Sequence, residues 1–237
     1  MAKPPTLAFR RPRHRAVAAA LALFDSQYLD SVACYFGGGT RIVLALDEYR
    51  ESADLDFLCA DATGYRRLRN DITERSLGPL AGAPIALARE VRADRYGIRT
   101  FLAIGAERIK LEIISEGRIG LTKAVDAQIA VPCLDPTSCF AEKFLANTDR
   151  WRDDAVYSRD LIDLAFMMAS WGGTEALAGL AIAHEAYGEV VEESLDLANA
   201  RFSSDLVYQR QCLKRLSVTD APRMRRGLAR LKAKRWR

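Results

Sequence analysis

At 237 residues, 49% of them hydrophobic and 28% charged, the chain has the composition of a globular protein with a buried core, and its longest apolar stretches, such as 16–24, fall short of the ~20 residues a membrane span needs. The formal net charge of +4 conceals an asymmetry: residues 1–15 carry five basic side chains and no acid, residues 221–237 carry eight and no acid, and the body between holds 22 basic residues against 31 acidic. Basic ends on an acidic body suit contact with a polyanion, the alternative being a pair of solvated termini.

In chain order, Val17, Leu21 and Phe24 are spaced for one face of a helix over 13–29. Residues 34–39 open as a short apolar piece and end in three glycines, after which 41–46 read as an apolar helix. Leu55–Cys59 is a short strand, 62–76 an exposed helix, and 85–90 and Gly97–Ile104 are strands. Residues 108–114 alternate, with Ile109, Leu111 and Ile113 on one face and Lys110, Glu112 and Ile114 on the other. Pro132 and Pro136 punctuate the chain, and the texture then changes. The stretches 137–147, 154–170, 174–187, 189–201 and 221–235 all read as helices, and Asp135-Pro136 is a good helix opening. The expected fold class is α/β (α+β): a domain with a small mixed sheet over 1–132, then a helical domain over 133–237.

The chemistry concentrates in Ser52-Ala-Asp54-Leu-Asp56-Phe57. On a strand, Asp54 and Asp56 share a face while Leu55 and Phe57 turn to the core. Two adjacent carboxylates repel, so such a pair favours a divalent cation; hard oxygen ligands with open water positions suit magnesium, and magnesium suits nucleoside triphosphates. An Asp-x-Asp alone is weak evidence. Here it is interleaved with apolar residues, follows Gly37-Gly38-Gly39-Thr40, and is preceded by Arg50 and Ser52. Glycines let backbone approach a ligand, and successive amides leading into a helix can cradle phosphate, with Thr40 adding a hydroxyl; a plain structural turn is the alternative. Neither the phosphate-loop lysine nor the Gly-x-Gly-x-x-Gly fingerprint is present. A third metal carboxylate would come from a neighbouring strand, with Glu112 the best candidate and Glu107 and Glu116 poorer ones at the ends of the run. Five scattered cysteines and two distant histidines, His14 and His184, speak against zinc or disulfides and for a reduced, cytoplasmic setting.

The segment Phe36-Gly-Gly-Gly-Thr-Arg-Ile-Val-Leu-Ala-Leu, followed by Arg50-Glu-Ser-Ala-Asp-Leu-Asp-Phe57, resembles the signature of the AbiEii/AbiGii toxin family, minimal nucleotidyltransferases related in fold to DNA polymerase beta. A second block, Ala141-Glu-Lys-Phe-Leu-Ala146, Arg150 and Arg159-Asp-Leu-Ile-Asp-Leu164, resembles the family's downstream pattern. The resemblance implies a polymerase-beta-like core, triphosphate held at Gly38, Gly39 and Thr40 with Arg50 and Ser52 close by, and magnesium on Asp54 and Asp56. It also implies that Lys143 meets the nucleotide's phosphates and that Asp160 completes the polar site. From the residues alone, Lys143 is equally a solvated lysine beside the core residues Phe140, Phe144 and Leu145. Asp160 or Asp163 equally forms an ion pair with Arg150 or Arg159.

The expected activity is transfer of a nucleoside monophosphate from a triphosphate to a hydroxyl, with RNA such as a tRNA end as the acceptor and a cognate antitoxin as partner. A protein or small-molecule hydroxyl as acceptor, or a non-catalytic nucleotide- or RNA-binding module, are the competing readings.

Overall fold

The computed structural model describes residues 9–231. Lys3 and the basic residues 232–237 of the expected polyanion-binding ends therefore lie outside the described residues. The chain forms two compact units: Met1–Leu44 with Ser52–Leu134, and Ala45–Glu51 with Asp135–Arg237. The second unit thus takes seven residues from the middle of the first half.

The first unit is a mixed sheet with helices on one face. Its strands are β1 (Cys34–Phe36), β2 (Leu55–Cys59), β3 (Ala86–Leu87), β4 (Arg92–Ala93), β5 (Gly97–Ile104), β6 (Glu107–Ser115), β7 (Lys123–Ala124) and β8 (Cys133–Leu134). Their spatial order is β3-β5-β6-β2-β1-β8-β7, with β4 also on β5. β2 runs parallel to β6 and antiparallel to β1, and β5 and β6 form an antiparallel hairpin through Gly105, whose φ is +59°. The apolar half of each alternating strand, including Leu55, Phe57, Leu111, Ile113 and Ile98, lies in one core with Val17 and Leu21 of α1 (Pro12–Leu21), Leu29 of α2 (Ser26–Ser31) and Leu68 of α4 (Ala62–Asp71). The other face of β2, β6 and β5 keeps Asp56, Lys110, Glu112 and Arg99 half-exposed. Between β1 and β2 comes α3 (Gly38–Ala45).

The second unit is helical: α5 (Pro136–Arg150), α6 (Arg159–Ser170), α7 (Gly173–Tyr187), α8 (Val190–Ser204), α9 (Leu206–Arg215) and α10 (Ala221–Arg230). Phe140, Phe144, Phe166, Met167, Leu195 and Phe202 are buried in its core. Gly227 allows α10 to lie directly on α6, since a Cβ there would strike the Ala165 carbonyl and sit 2.9 Å from its Cα. Among the described residues, no helix is long and apolar enough to cross a membrane.

Several expected elements are shorter or divided. The helix expected over 13–29 breaks after Leu21 because the Asp25 carboxylate caps a new helix through the Tyr28 amide, at 2.7 Å, and the Asp25 amide donates to Leu80. The helix expected over 154–170 is interrupted by Tyr157 and Ser158, both left-handed, with φ of 53° and 49°. Residues 62–76 stop being helical at Asp71, where Ile72 turns extended and Thr73 bridges to Ser76. In 85–90 only Ala86–Leu87 pairs with β5. The short apolar piece that opens 34–39 is the strand β1, while β4, β7, β8 and α9 are not anticipated from the sequence. The last of these has a legible start, because the Asp205 carboxylate accepts from the amides of Val207 and Tyr208.

Candidate active site

The glycine turn is fastened to β2 at Asp56. Gly37 follows β1 and donates its amide to the Asp56 carbonyl at 2.8 Å. Gly38 opens α3 with φ +66°, and a Cβ there would overlap the Asp56 carboxylate and lie 2.7 Å from its Cβ. Both the dihedral and the close approach require glycine. The first amides of α3 therefore rise directly beside the Asp56 side chain. Thr40 is fully buried, and its hydroxyl shares a 2.9 Å hydrogen bond with that of Ser52. The Ser52 amide in turn donates to Nε2 of the buried His14 at 3.3 Å. The Thr40 and Ser52 side chains thus brace the turn, while the Thr40 amide remains part of the first turn of α3.

Asp56 and Glu112 are register partners on the parallel strands β2 and β6, so their side chains lie next to each other on one face, about 4.8 Å apart along the strand-to-strand direction. Asp54, two residues earlier, is exposed. Lys110 lies on the same face of β6. Its ammonium donates to Glu112 Oε2 at 2.5 Å, and Arg99 Nε donates to Oε1 at 2.7 Å. Burial alone would raise the Glu112 carboxyl, but the bonds and charges of Lys110 and Arg99 outweigh it and hold it below the usual carboxylate range. Burial pulls Lys110 down, and Glu112, then Asp56, then Asp54 push it up further. Lys110 is therefore a cation set among the three acids, a role its place in the alternating strand had not revealed.

Among the described residues, no three carboxylate, histidine or cysteine groups converge as a ready metal cage. The donor set nonetheless fits a hard divalent ion in part. Asp54 and Asp56 offer carboxylate oxygens that reach solvent, as an ion that keeps several waters requires. Glu112 has both oxygens engaged by cations and becomes a ligand only if Lys110 moves. Glu107 begins β6 away from this register, and Glu116 is buried, clamping Arg118 at 2.6 Å.

The second unit contains a buried charge network. Lys143 of α5 places its Nζ 2.8 Å from Asp160 Oδ1 and 2.7 Å from Asp163 Oδ2, both on α6. Arg150, at the end of α5, donates from Nε to Asp160 Oδ2 at 2.7 Å. Arg50 grips Asp163 in a two-pronged pair at 2.7 and 2.8 Å and donates its third nitrogen to the Glu51 carbonyl at 2.8 Å. Tyr49 adds a 2.6 Å bond to Asp163 and stacks on Phe166, with centroids 3.9 Å apart. Burial would raise both aspartates. For Asp160 the charge of Lys143 and the bonds from Arg150 prevail, for Asp163 the charges of Arg50 and Lys143, and both carboxyls are held low. Arg50, expected at the nucleotide, is thus committed to Asp163. Sequence reasoning had Asp163 only as an ion-pair candidate with Arg150 or Arg159; the structure makes it the hub, and Tyr49 was missed. Of the C-terminal basic residues, Arg223 is used internally, on Asp47 at 3.0 Å.

The fold resembles that of a solved "putative nucleotidyltransferase" from Helicobacter pylori, with a TM-score of 0.50, 16% identity and coverage of 93% of this chain and 94% of that one. The crystal structure of JHP933 from Helicobacter pylori aligns at a TM-score of 0.49 and 17% identity, over 93% and 91% of the two chains. No curated protein matches the chain. A sheet that seats a glycine turn against a carboxylate strand, with a helical region after it, defines a nucleotidyltransferase-type fold. The family model for the nucleotidyl transferase AbiEii toxin of type IV toxin–antitoxin systems matches residues 21–229, and the chain belongs to that family. It is accordingly an enzyme of the nucleotidyltransferase class, from a family whose substrates are nucleoside triphosphates and whose members are toxins with antitoxin partners.

Proposed function

We propose that the protein transfers a nucleoside monophosphate from a triphosphate to a hydroxyl at the end of an RNA, such as the 3′ end of a tRNA, and that a cognate antitoxin restrains it. The observation that carries this reading is the in-register pair of Asp56 and Glu112, with Gly38 packed on the Asp56 carboxylate. Asp54 and Asp56 would hold magnesium, which offsets charge on the triphosphate. The amides of Gly38, Gly39 and Thr40 bind phosphate oxygens at the start of α3. Ser52 keeps Thr40, and so those amides, in place. Asp54 or Asp56 takes the proton from the attacking hydroxyl, and pyrophosphate leaves in line with the new bond. Glu112 holds Lys110 toward the acids, and a third-ligand role for Glu112 follows when Lys110 swings to the incoming phosphates. Within the second unit, Asp160, fixed by Arg150, orients Lys143 for the phosphate contact that the family resemblance implies, and Asp163 with Arg50 secures the segment 45–51. The five cysteines are all buried thiols outside any disulfide, which supports a reduced, cytoplasmic setting.

The test incubates the purified protein with each labelled triphosphate, magnesium and total RNA, beside Asp56→Ala. Label that enters RNA and vanishes with the variant or with chelator supports the proposal. No transfer to RNA by the intact protein overturns it.

A further inference from the structure

The register of the first unit draws a straight line of side chains away from Asp56. Asp56 pairs with Glu112, Glu112 with Arg99, and Arg99 with Arg92, across β2, β6, β5 and β4. Register partners share a face, so the four side chains form one row, and three strand spacings make it about 14 Å long. The row runs from the acids to a basic edge. Arg99 is already shared between Glu112 and Asp94, at 2.7 and 3.3 Å. Arg92, directly opposite it, is exposed and has no acidic partner among the described residues. Arg99 is thus compensated by two carboxylates, whereas Arg92 leaves an exposed cation at the end of the row for an outside anion.

The turn that follows β4 adds an aromatic surface. The Asp94 carboxylate accepts from the amides of Tyr96 and Gly97, at 2.7 and 3.0 Å, which fixes the tip. The turn is braced from beneath by Tyr65 of α4, whose hydroxyl donates to the Asp94 carbonyl at 2.7 Å. Tyr96 is left 60% exposed, so its ring is open to solvent at the turn. Arg95 lies over that ring, 4.5 Å from its centroid, and bonds its hydroxyl. The negative charge of Asp94 is offset by Arg99 and by the two amides. An exposed cation–aromatic pair beside an arginine with no acidic partner is the chemistry that binds single-stranded nucleic acid, with bases stacking and phosphates paired.

We propose that the face from Arg99 to Arg92, with the Arg95–Tyr96 platform, is the track on which the unpaired 3′ end of a polynucleotide lies, its terminal hydroxyl directed along the row toward Asp56. The proposal rests on the nucleotidyl-transfer reading and assigns the acceptor strand a place in it. A duplex fits poorly, because its bases are already stacked and cannot cover Tyr96.

The test is fluorescence anisotropy of the intact protein with labelled 12-nucleotide single strands of RNA and of DNA, over a salt series, for the parent, Arg92→Ala, Tyr96→Ala and the double variant. Tyr96→Ala weakens binding roughly fivefold or more, as loss of one stacked base does. Arg92→Ala weakens binding and lowers the salt slope by about 0.7, the loss of one phosphate contact on a single strand. Tighter RNA than DNA binding identifies RNA as the occupant, and equal binding identifies any single strand. The track is overturned if the parent binds no strand, or if the folded variants, checked by thermal melting, bind with unchanged affinity and slope. Failure of the nucleotidyl-transfer reading shows separately, as absence of triphosphate binding by the parent protein in magnesium.

Discussion

Asp163→Asn removes a charge from the centre of the second unit while keeping the side chain's shape. Asp163 Oδ1 accepts from Tyr49 and Arg50 Nε, and Oδ2 from Arg50 Nη2 and Lys143. An asparagine turned either way presents an NH2 group to donors, and it leaves the buried Arg50 without its counter-charge. Breaking a buried pair by removing one partner costs about 3–5 kcal/mol. That is a large share of the ~5–15 kcal/mol of a typical domain. At about 2–4 °C per kcal/mol for a chain of this size, the variant melts roughly 6–20 °C below the parent. Differential scanning calorimetry and urea titration measure both quantities. The cost lies mostly in the stranded charge, so Tyr49→Phe, Arg50→Met and Asp163→Leu combined recover more than half of the loss. A loss below about 1 kcal/mol for Asp163→Asn, or no recovery in the triple variant, refutes the reasoning.

Gly38→Ala puts a Cβ into the Asp56 carboxylate at a left-handed φ, so it destabilises by about 1–3 kcal/mol and abolishes transfer; a variant with parental melting and activity contradicts the packing described. Lys110→Gln removes a cation from the acids and tightens manganese binding about fivefold or more, since one nearby charge close to a surface is worth roughly 1–3 kcal/mol; unchanged or weaker binding in a calorimetric titration counts against the cluster. Asp160 and Asp163 have depressed carboxyls in the folded chain. Their contribution is therefore fully present above the unfolded aspartate value of ~3.9 and is lost as the pH falls through it toward the lower folded values. Urea midpoints between pH 5 and pH 2 show this loss, and it is shallower in Asp163→Asn.

The alternating strands were legible because each is amphipathic: Leu55–Cys59 and Gly97–Ile104 have the bounds their patterns gave, and β6 runs one residue beyond 108–114 at each end. Asp56 and Glu112 on polar faces were equally legible, because a period of two needs no partner. That these strands are parallel neighbours was not, since register between distant segments is set by the assembled sheet and not by local pattern. Two-residue strands carry too little pattern to see, which hid β4, β7 and β8. Arg50 shows the same limit at the level of a site. Its position before Asp54 suggested phosphate, yet its ion-pair partner lies 113 residues away. Its commitment depends on the helical unit, whose contribution from 45–51 has no compositional mark.

That separation of 113 residues also has a temporal meaning. At a synthesis rate of ~5–20 residues per second, Arg50 and Tyr49 wait roughly 6–23 s after leaving the ribosome before Asp163 leaves it too. During that interval the first half of the chain carries a seven-residue loop with an arginine and a tyrosine destined for burial and nothing yet to bury them. A nascent or truncated chain ending before α6 therefore cannot complete its second unit. For a protein of a toxin family, that makes arrival of the last third of the chain the step after which a finished second unit first exists in the cell.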